Sequence, residues 1–292
     1  MANDLGLSSV LLCSVLLIAA SPFFAAAAGG VPAKAPAQQP AQKPLPAEGE
    51  LEAALVAAGL TLDRAAGVLS LPASVRVKND LLEYLLVGPH GAAHESLFLT
   101  TVRPSLINAG LLLLGAEPGV NAYPEDLGLR FEGNTDERGR TERRVHPPAG
   151  DGFFLYAGWR EQGESYFFRI EDLLRNLASG RSLRRHRWVY LGSRFAALKP
   201  GASKSFLADV EGNLINLSFF YQGNTLLTAA LPECAEQTIW AANEWLLPPM
   251  DAPVRLFFAR APLETLTDEL RASLPEVLGE APPEAQPPEN GR

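Results

Sequence analysis

Residues 153–169 read FFLYAGWREQGESYFFR, and this stretch indicates how the chain folds. Two runs rich in aromatic residues, 153–160 and 165–169, lie on either side of the polar segment 161–164, which contains Gly163. Aromatic residues favour β-strands, and two such runs around a short polar segment with a glycine predict a β-hairpin. We therefore expect an antiparallel pair of strands here.

Further strands and a few helices are predicted on both sides of this hairpin. Apolar or alternating segments indicate strands at residues 67–71, 82–87, 94–101, 188–191, 225–229 and 254–259, and a second hairpin that pairs 206–210 with 214–220. Helices are predicted at residues 104–114, 170–177, 233–246 and 263–278. Because hairpins rather than helices join most of the strands, the sequence predicts an α+β fold, with a mostly antiparallel sheet and a few packed helices.

The beginning of the chain, residues 1–28, has the composition of a targeting segment. The run from Leu5 to Ala28 is almost wholly apolar, and it ends in alanines that resemble a signal-peptide cleavage site. The residues before it include Asp4 but no Lys or Arg, so an uncleaved anchor is the alternative, since about 20 apolar residues can span a bilayer. We expect export to the periplasm or cell envelope, with membrane contact only through this segment if it is retained.

Composition also divides the rest of the chain. Residues 29–50 are rich in Pro, Ala and Gln and predict an extended linker. Residues 279–292 have the same character and predict a disordered tail. The folded part is then 51–278. It forms either one domain or two subdomains that are divided near the charged segment 134–151.

Charge and cysteine content limit the functions that are open to this protein. The net charge of −8 at pH 7 argues against nucleic-acid binding, which needs a basic face opposite the phosphates. Of the two cysteines, Cys13 lies in the apolar leader, so Cys234 alone cannot form an internal disulfide, a Cys-type zinc site or an iron–sulfur site once the leader is removed. We expect Cys234 to be a buried apolar residue. The sequence indicates no particular cofactor.

Residues 89–100, which read PHGAAHESLFLT, contain the candidate site. His90 and His94 are four positions apart, and Glu95 and Ser96 follow the second histidine directly. Imidazole and carboxylate groups are common metal ligands and proton carriers. These four residues are therefore candidates for a binding site, and the two histidines are candidates for metal ligands.

Three interpretations of this segment stay open. A helix would place His90 and His94 on one face, as in a zinc clamp. Pro89 and Gly91 favour a turn instead, and Glu95 follows both histidines rather than lying between them. In the structural interpretation, which we favour, His94 bonds the backbone of the turn or of the following residues Arg103 and Pro104, and its replacement by alanine costs about 1–3 kcal/mol. The third interpretation is a polar binding or proton-transfer role.

Other charged and aromatic residues also receive an interpretation. Glu171 and Asp172 begin a predicted helix, where carboxylates cap free N–H groups. The arginines between residues 181 and 187 are interpreted as parts of a solvated loop. The four tryptophans are interpreted mainly as core and sheet residues. Trp240 and Trp245 are five apart on a predicted helix and cannot face the same way, so the alternative is that one of them is exposed and marks a partner or ligand surface.

A series of short segments links much of the chain to a known family. They are LPA at 71–73, EYLLV at 83–87, HESLF at 94–98, RP at 103–104 and AGLLLLGAEPG at 109–119, with further matches at 171–174, 188–193 and 208–212. Together they resemble the YdjY-type domain of exported bacterial proteins. The resemblance implies an envelope protein, often lipid-anchored or leader-bearing, whose activity is unsettled. Its most distinctive shared polar element is the pair His94 and Glu95. The iron–sulfur association of some members does not carry over, because the cysteines are missing.

These observations favour one function and leave two others open. The leading hypothesis is an exported domain that binds a partner protein or a small ligand in the cell envelope. The alternative is a metal-dependent, hydrolase-like enzyme that uses His94 and Glu95, and the third is a purely structural envelope protein. The sequence contains no G-x-S-x-G, Walker or G-x-G-x-x-G motif, so it identifies no catalytic residue.

Overall fold

The computed structural model describes residues 48–130 and 140–278, and its central feature is a closed ring of eight β-strands. The strands are β1 (Thr61–Asp63), β2 (Val68–Val75), β3 (Tyr84–Val87), β4 (Ser96–Leu99), β5 (Tyr123–Arg130), β6 (Arg140–His146), β7 (Gly152–Glu161), β8 (Glu164–Arg169), β9 (Leu174–Asn176), β10 (Arg181–Ser182), β11 (Trp188–Tyr190), β12 (Phe195–Ala197), β13 (Lys204–Phe206), β14 (Asn213–Asn216), β15 (Leu227–Thr228), β16 (Trp240–Ala242), β17 (Pro253–Ala259) and β18 (Glu276–Val277). The helices are α1 (Glu48–Ala57), α2 (Pro104–Leu113), α3 (Leu207–Glu211) and α4 (Asp268–Ala272), with 3-10 turns at Ala93–Glu95, Ile170–Leu173, Pro232–Ala235 and Glu244–Leu246.

The ring closes because strands that are distant in the sequence pair with each other. Its order is β2, β17, β7, β11, β15, β14, β3 and β4, and β4 pairs back with β2. The pairings are antiparallel except for β14 with β15 and β3 with β4. Strands β1, β8 and β18 pair with ring strands from outside. A closed ring leaves its strands without the free edges of an open sheet.

Three small sheets lie outside this ring. Strands β10, β9 and β16 form a three-stranded sheet, and β12 with β13 and β5 with β6 form two-stranded ribbons. The three-stranded sheet is joined to the chain segment before β3 by a single bridge between Leu81 and Ala241. This bridge positions the segment that forms one wall of the surface cleft described below.

The hairpin predicted from residues 153–169 is confirmed as β7 and β8. Their register runs from Tyr156 opposite Arg169 to Glu161 opposite Glu164. The two turn residues, Gln162 and Gly163, both have a positive φ (52° and 83°), which suits the tight turns whose twist matches that of the strands. Cross-strand aromatic pairs stabilise the hairpin on both faces, since each strand alternates its side chains. The stacked pairs are Tyr156 with Phe167 and Trp159 with Tyr166.

The helix predicted at residues 104–114 is also confirmed, as α2. It begins at Pro104, where the missing N–H and the fixed φ of proline suit the first helical turn. Its buried residues include Ile107, Gly110 and Leu111, which share one face. A Cβ atom on Gly110 would lie 2.8 Å from the side chain of Leu69. The glycine therefore allows the helix to pack closely on β2.

The predicted fold class is wrong. The described residues are mostly β, with a closed eight-stranded barrel, three additional barrel-associated strands and four short helices, instead of an α+β arrangement of a sheet with packed helices. The longest of these helices has ten residues. The main source of the error is in the second half of the chain, where two predicted helices (233–246 and 263–278) and one predicted hairpin (206–220) form shorter elements or elements of another type.

The helix predicted at residues 233–246 is instead two 3-10 turns on either side of strand β16. Trp240 and Ala242 pair with β9, so tertiary pairing overrides the local pattern. The helix predicted at 263–278 is reduced to α4. Thr267 caps its first turn by accepting a hydrogen bond from the Leu270 N–H, and Pro275 prevents its extension because the residue before a proline avoids the helical conformation.

The second predicted hairpin, 206–210 with 214–220, is wrong as well. Residues Leu207–Glu211 form the short helix α3, which ends at Gly212 in the left-handed conformation (φ 73°). Strand β14 follows directly, but it pairs with β3 and β15. The glycine was interpreted as a hairpin turn, whereas it closes a helix.

The remaining predictions on domain organisation concern the ends of the chain and one internal boundary. Helix α1 begins at Glu48, slightly before the predicted start of the folded part. Strands before and after residues 134–151 pair in one barrel, and the described residues, 48–130 and 140–278, belong to one compact unit. The predicted leader (residues 1–28) and tail (279–292) lie outside the described residues, as does most of the predicted linker. In the part of the chain that is described, no helix is long and apolar enough to cross a membrane.

Candidate functional site

The loop that contains the predicted site is fixed by its backbone and by Asn213. The Gly88 N–H donates to the Gly212 carbonyl at 2.6 Å, and the Ala92 N–H donates to the Asn213 side chain at 2.9 Å. A Cβ atom on Gly91 would lie 2.5 Å from the Gly212 oxygen, so the two chain segments touch at a point where only glycine fits. The shape of the loop therefore does not depend on its histidines.

The structure places His94 at the surface. Its side chain is 79% exposed, and its Nε2 lies 3.6 Å from a carboxylate oxygen of Glu95. His90 is exposed too. The structural interpretation, in which His94 bonds the backbone of the turn, is therefore wrong for the described residues.

Ser96 does not join the histidines in a reactive group. Its side chain is buried, and its hydroxyl donates to the Phe98 carbonyl at 2.8 Å. Among the residues that the structure describes, no group of three or more His, Cys, Asp or Glu side chains is placed to hold a metal ion. The loop thus brings His94 and Glu95 together, but it does not assemble the four predicted site residues into one centre.

Glu95 has a neighbour that the sequence did not indicate. Partial burial and the nearby charge of Glu95, which also shares a hydrogen bond with Glu83, raise the pKa of Glu83 above its ordinary value of 4.5. The adjacent Tyr84 is buried and stacks on Phe220. Burial, with the charges of Glu83 and Glu95, raises the pKa of this phenol to about 12. The carboxyl group of Glu83 is therefore harder to ionise than usual, and the phenol of Tyr84 stays protonated.

We expect that replacing His94 by alanine leaves the stability nearly unchanged. The side chain is largely exposed, and substitutions of exposed residues usually change the free energy of unfolding by less than about 0.5 kcal/mol. Urea denaturation of His94→Ala beside His90→Ala measures this, and both variants should behave alike. A loss above about 1 kcal/mol for His94→Ala alone would restore the structural interpretation.

A buried ion pair between Arg169 and Glu171 lies at the end of strand β8. Glu171 has no exposed side-chain surface, and Arg169 binds its two oxygens through two N–H groups at 3.0 and 2.9 Å. The indole N–H of Trp188 donates to the same carboxylate at 3.0 Å. The Arg169 guanidinium also lies over the rings of Phe154 and Tyr156. The capping interpretation of Glu171 is wrong, because its carboxylate anchors the 3-10 turn Ile170–Leu173 to β11 instead.

Three of the four arginines between residues 181 and 187 are paired rather than simply solvated. Arg185 binds Asp172 at 2.8 Å, and Arg184 binds Glu233 at 2.6 Å. Cys234, next to Glu233, is fully buried, and burial raises the pKa of its thiol to about 12. The prediction of a buried apolar role for this cysteine is confirmed. These contacts stabilise the fold and leave no reactive group open to a substrate.

His186 completes this buried cluster. Its Nδ1 lies 2.9 Å from the Arg184 carbonyl, which fixes Nδ1 as the protonated nitrogen of the neutral ring. Its Nε2 is buried and has no hydrogen-bond partner among the described residues. Burial lowers the pKa of His186 below its ordinary value of 6.5, although the Arg184 carbonyl and the charge of Glu171 act in the opposite direction. The folded protein therefore keeps this ring neutral.

This histidine predicts a loss of stability in mild acid. In the unfolded chain His186 takes up a proton near pH 6.5, whereas in the folded chain it does so only at a lower pH, so its contribution is fully present above pH 6.5 and decreases as the pH falls toward the folded pKa. The slope is at most about 1.4 kcal/mol per pH unit. Urea denaturation at pH 7.5 and 5.5 should show a smaller decrease for His186→Asn than for the wild-type protein, with His90→Ala as an unchanged control.

A concave surface with several charged groups lies beside the small sheet of β10, β9 and β16, and we call it the cleft. Its volume is about 400 Å³. This lies within the range of pockets that hold small ligands, roughly 300–1,000 Å³. The lining residues are Lys78, Asn79, Asp80, Leu81, Arg175, Leu177, Ala241, Ala242 and Glu244.

The register of the small sheet explains why a cleft forms here. Leu81 bridges to Ala241, Ala241 pairs with Arg175, and Arg175 pairs with Ser182, so these four residues lie in one row across the strands. Cross-strand partners place their side chains on the same face of a sheet. The small side chain of Ala241 lies between the long ones of Leu81 and Arg175 and forms the floor of the cleft.

Some charged side chains of the cleft form hydrogen bonds within the protein, and one does not. The Lys78 ammonium donates to the Leu247 carbonyl at 3.2 Å, and Asp80 accepts the Leu81 N–H at 2.7 Å. With its amide nitrogen toward Glu244, Asn79 donates to that carboxylate at 2.6 Å. The Arg175 side chain has no hydrogen bond or ion pair with any described residue. The cleft thus offers one free guanidinium between apolar side chains.

An exposed tryptophan lies next to the cleft. Trp245 follows the lining residue Glu244 and is 84% exposed, whereas Trp240 is fully buried. The interpretation of all four tryptophans as core residues is thus wrong for Trp245, and the alternative of one exposed residue is correct, although the predicted helix on which it rested does not form. Trp159 and Trp188 are also buried, so Trp245 is the exposed tryptophan of this chain.

The described residues therefore define a closed, mixed β-barrel protein with a charged surface cleft. No family model, no curated protein and no solved structure matches the chain. The resemblance to YdjY-type domains stays a prediction. None of the four site residues predicted from the sequence lines the cleft. The exposed Trp245 was the one signal in the sequence that led toward it.

Proposed function

We propose that this protein is a non-enzymatic binding module of the cell envelope, which takes a small ligand or a short segment of a partner protein into the cleft. One observation carries the proposal: an open cleft of about 400 Å³ combines a free guanidinium, apolar walls and an adjacent exposed indole. Tryptophan and arginine are typical of residues that dominate binding energy. The apolar leader and the YdjY-type resemblance support the location in the envelope.

Binding is better supported than catalysis by the residues of the cleft. Its lining consists of Lys, Arg, Asn, Asp, Glu, Leu and Ala side chains. Asp80 and Glu244 are hydrogen-bonded to their own surroundings, and nucleophilic catalysis would need an activated Ser, Cys or Thr beside a base. The alternative, a metal-dependent hydrolase with His94 and Glu95, has less support because His94 lies on the open surface of a loop.

A pair of phenylalanine substitutions tests the proposal. Ala241→Phe fills the floor of the cleft, while Ser182→Phe adds the same ring to the same row of the sheet, outside the cleft. Binding of a panel of N-acetylated tripeptides is followed by the change in tryptophan emission, because Trp245 is the exposed tryptophan whose surroundings a bound peptide changes. We expect that the wild-type protein and Ser182→Phe bind the same peptides and that Ala241→Phe loses them.

The melting temperatures of both variants serve as the control for folding. Equal binding by the wild-type protein and a folded Ala241→Phe variant would contradict a role of the cleft. The absence of binding by the wild-type protein to every peptide in the panel would contradict the part of the proposal that concerns a segment of a partner protein.

A further inference from the structure

Arg175 differs from the other charged residues that line the cleft, because its side chain has no hydrogen bond or ion pair with any described residue. The neighbouring arginines of the loop after β10 are engaged: Arg184 with Glu233 and Arg185 with Asp172. Arg175 lies on β9, faces the cleft and contacts no described carboxylate. A guanidinium is a rigid fork of donors that matches a carboxylate with two parallel hydrogen bonds. The free group therefore points to a ligand that brings its own carboxylate.

The apolar side chains of the cleft lie directly beside this guanidinium. Arg175 and Leu177 both line the cleft, Arg175 within β9 and Leu177 directly after it. Leu177 and Leu81 are 46% and 38% exposed, and Leu81 lies across the strands from the small Ala241. A ligand that fits must carry an apolar group within a few bonds of its carboxylate.

The acidic residues of the cleft restrict the charge of the ligand residue that precedes the apolar group. Asp80 and Glu244 both line the cleft, and Glu244 is adjacent to the exposed Trp245. They repel an acidic group and attract a basic one. Charge complementarity therefore favours a ligand that has its carboxylate at one end and a basic residue upstream.

We propose that the cleft binds the C-terminus of a peptide or partner protein, with Arg175 holding the terminal carboxylate, an apolar last side chain lying over Ala241, and a basic residue toward Asp80 and Glu244. In the last residue of a peptide, the α-carboxylate and the side chain are attached to the same Cα atom. An apolar side chain there lies within a few bonds of the carboxylate, as the cleft requires. This inference rests on the proposed function and adds the ligand class to it.

The test compares a peptide acid with its amide. Acetyl-Ala-Lys-Leu with a free carboxylate and the same peptide with a carboxamide differ only in the terminal group, and calorimetry measures the affinity of the full-length protein for each. We expect that the acid binds about 10- to 100-fold more tightly than the amide, the range for hydrogen bonds to a charged group. Arg175→Gln should lose this difference, and Arg175→Lys should keep part of it.

Arg181→Gln is the matched control. Arg181 is an exposed arginine on the adjacent strand β10 and, like Arg175, has no partner among the described residues, but it does not line the cleft. This variant should retain the preference for the acid. Acetyl-leucine should bind at least about 10-fold more weakly than the tripeptide, because it lacks the basic residue.

Each other outcome overturns a defined part of the account. Equal affinity for acid and amide, lost together in Ala241→Phe, would leave the binding function but overturn the recognition of a carboxylate. If acetyl-leucine binds as tightly as the tripeptide, the ligand class is a small carboxylic acid and not the C-terminus of a peptide. No binding, or binding unchanged in Ala241→Phe, would overturn both this inference and the proposed function.

Discussion

Replacing Gly91 by alanine should destabilise the protein by about 3 kcal/mol or more. The new Cβ atom would lie 2.5 Å from the Gly212 oxygen, 2.7 Å from the Asn213 side-chain oxygen and 2.8 Å from the Val87 Cβ. Two of these atoms belong to backbone or to a branched side chain on a barrel strand, so they cannot move independently. Overpacking of a rigid contact typically costs about 1–3 kcal/mol and occasionally more. Urea denaturation measures the effect.

Gly88→Ala is the matched control for this prediction, in the same loop. A Cβ atom on Gly88 would have its nearest neighbours at 3.7 Å, which is ordinary van der Waals contact. Its φ is not positive, so alanine fits, and the loss of freedom in the unfolded chain even favours folding by about 0.4–1 kcal/mol. Equal behaviour of Gly88→Ala and Gly91→Ala would show that the close approach to Gly212 does not hold the loop.

The second large effect is expected at the buried ion pair. Glu171→Gln should cost about 3–5 kcal/mol, because it leaves the Arg169 charge buried without a counter-charge. The carboxylate is fully buried and receives two hydrogen bonds from Arg169 and one from the Trp188 indole, all at about 3 Å. Thermal and urea denaturation both report this loss.

The adjacent residue provides the control. Asp172 also binds an arginine, but the Arg185 side chain is 63% exposed, and exposed ion pairs contribute about 0–1 kcal/mol. Asp172→Asn should therefore lose less than about 1 kcal/mol. A double variant that replaces both Arg169 and Glu171 with apolar residues should recover much of the loss of Glu171→Gln. Similar losses in Asp172→Asn and Glu171→Gln would contradict the importance of burial.

The parts of the fold that sequence analysis predicted well depend on local signals. The hairpin of β7 and β8 is set by two aromatic runs and a glycine turn, and α2 is set by Pro104 and a helical apolar stripe. Both signals lie within about 17 consecutive residues. The fold class depends instead on pairings such as β2 with β17, which joins residues near 70 with residues near 257. No local pattern indicates such a partner.

The candidate site was less predictable than the fold. The cleft takes one wall from residues 78–81, one from β9 and its floor from Ala241, so it exists only after three distant segments meet. An alanine on a short strand carries no signal of its own. His90 and His94 were predicted as site residues because the segment 89–100 contains two histidines. In the structure, the residue that determines the shape of this loop is Gly91, which packs against Gly212.

The central claim is that the cleft, rather than the histidine loop, is the binding surface of this protein. Two-dimensional NMR of the ¹⁵N-labelled protein, with and without acetyl-Ala-Lys-Leu acid, tests it most directly. We expect that the amide signals that shift belong to residues 78–81, 175–177 and 241–245. Shifts centred on residues 89–96, or a spectrum that the peptide does not change, would contradict it.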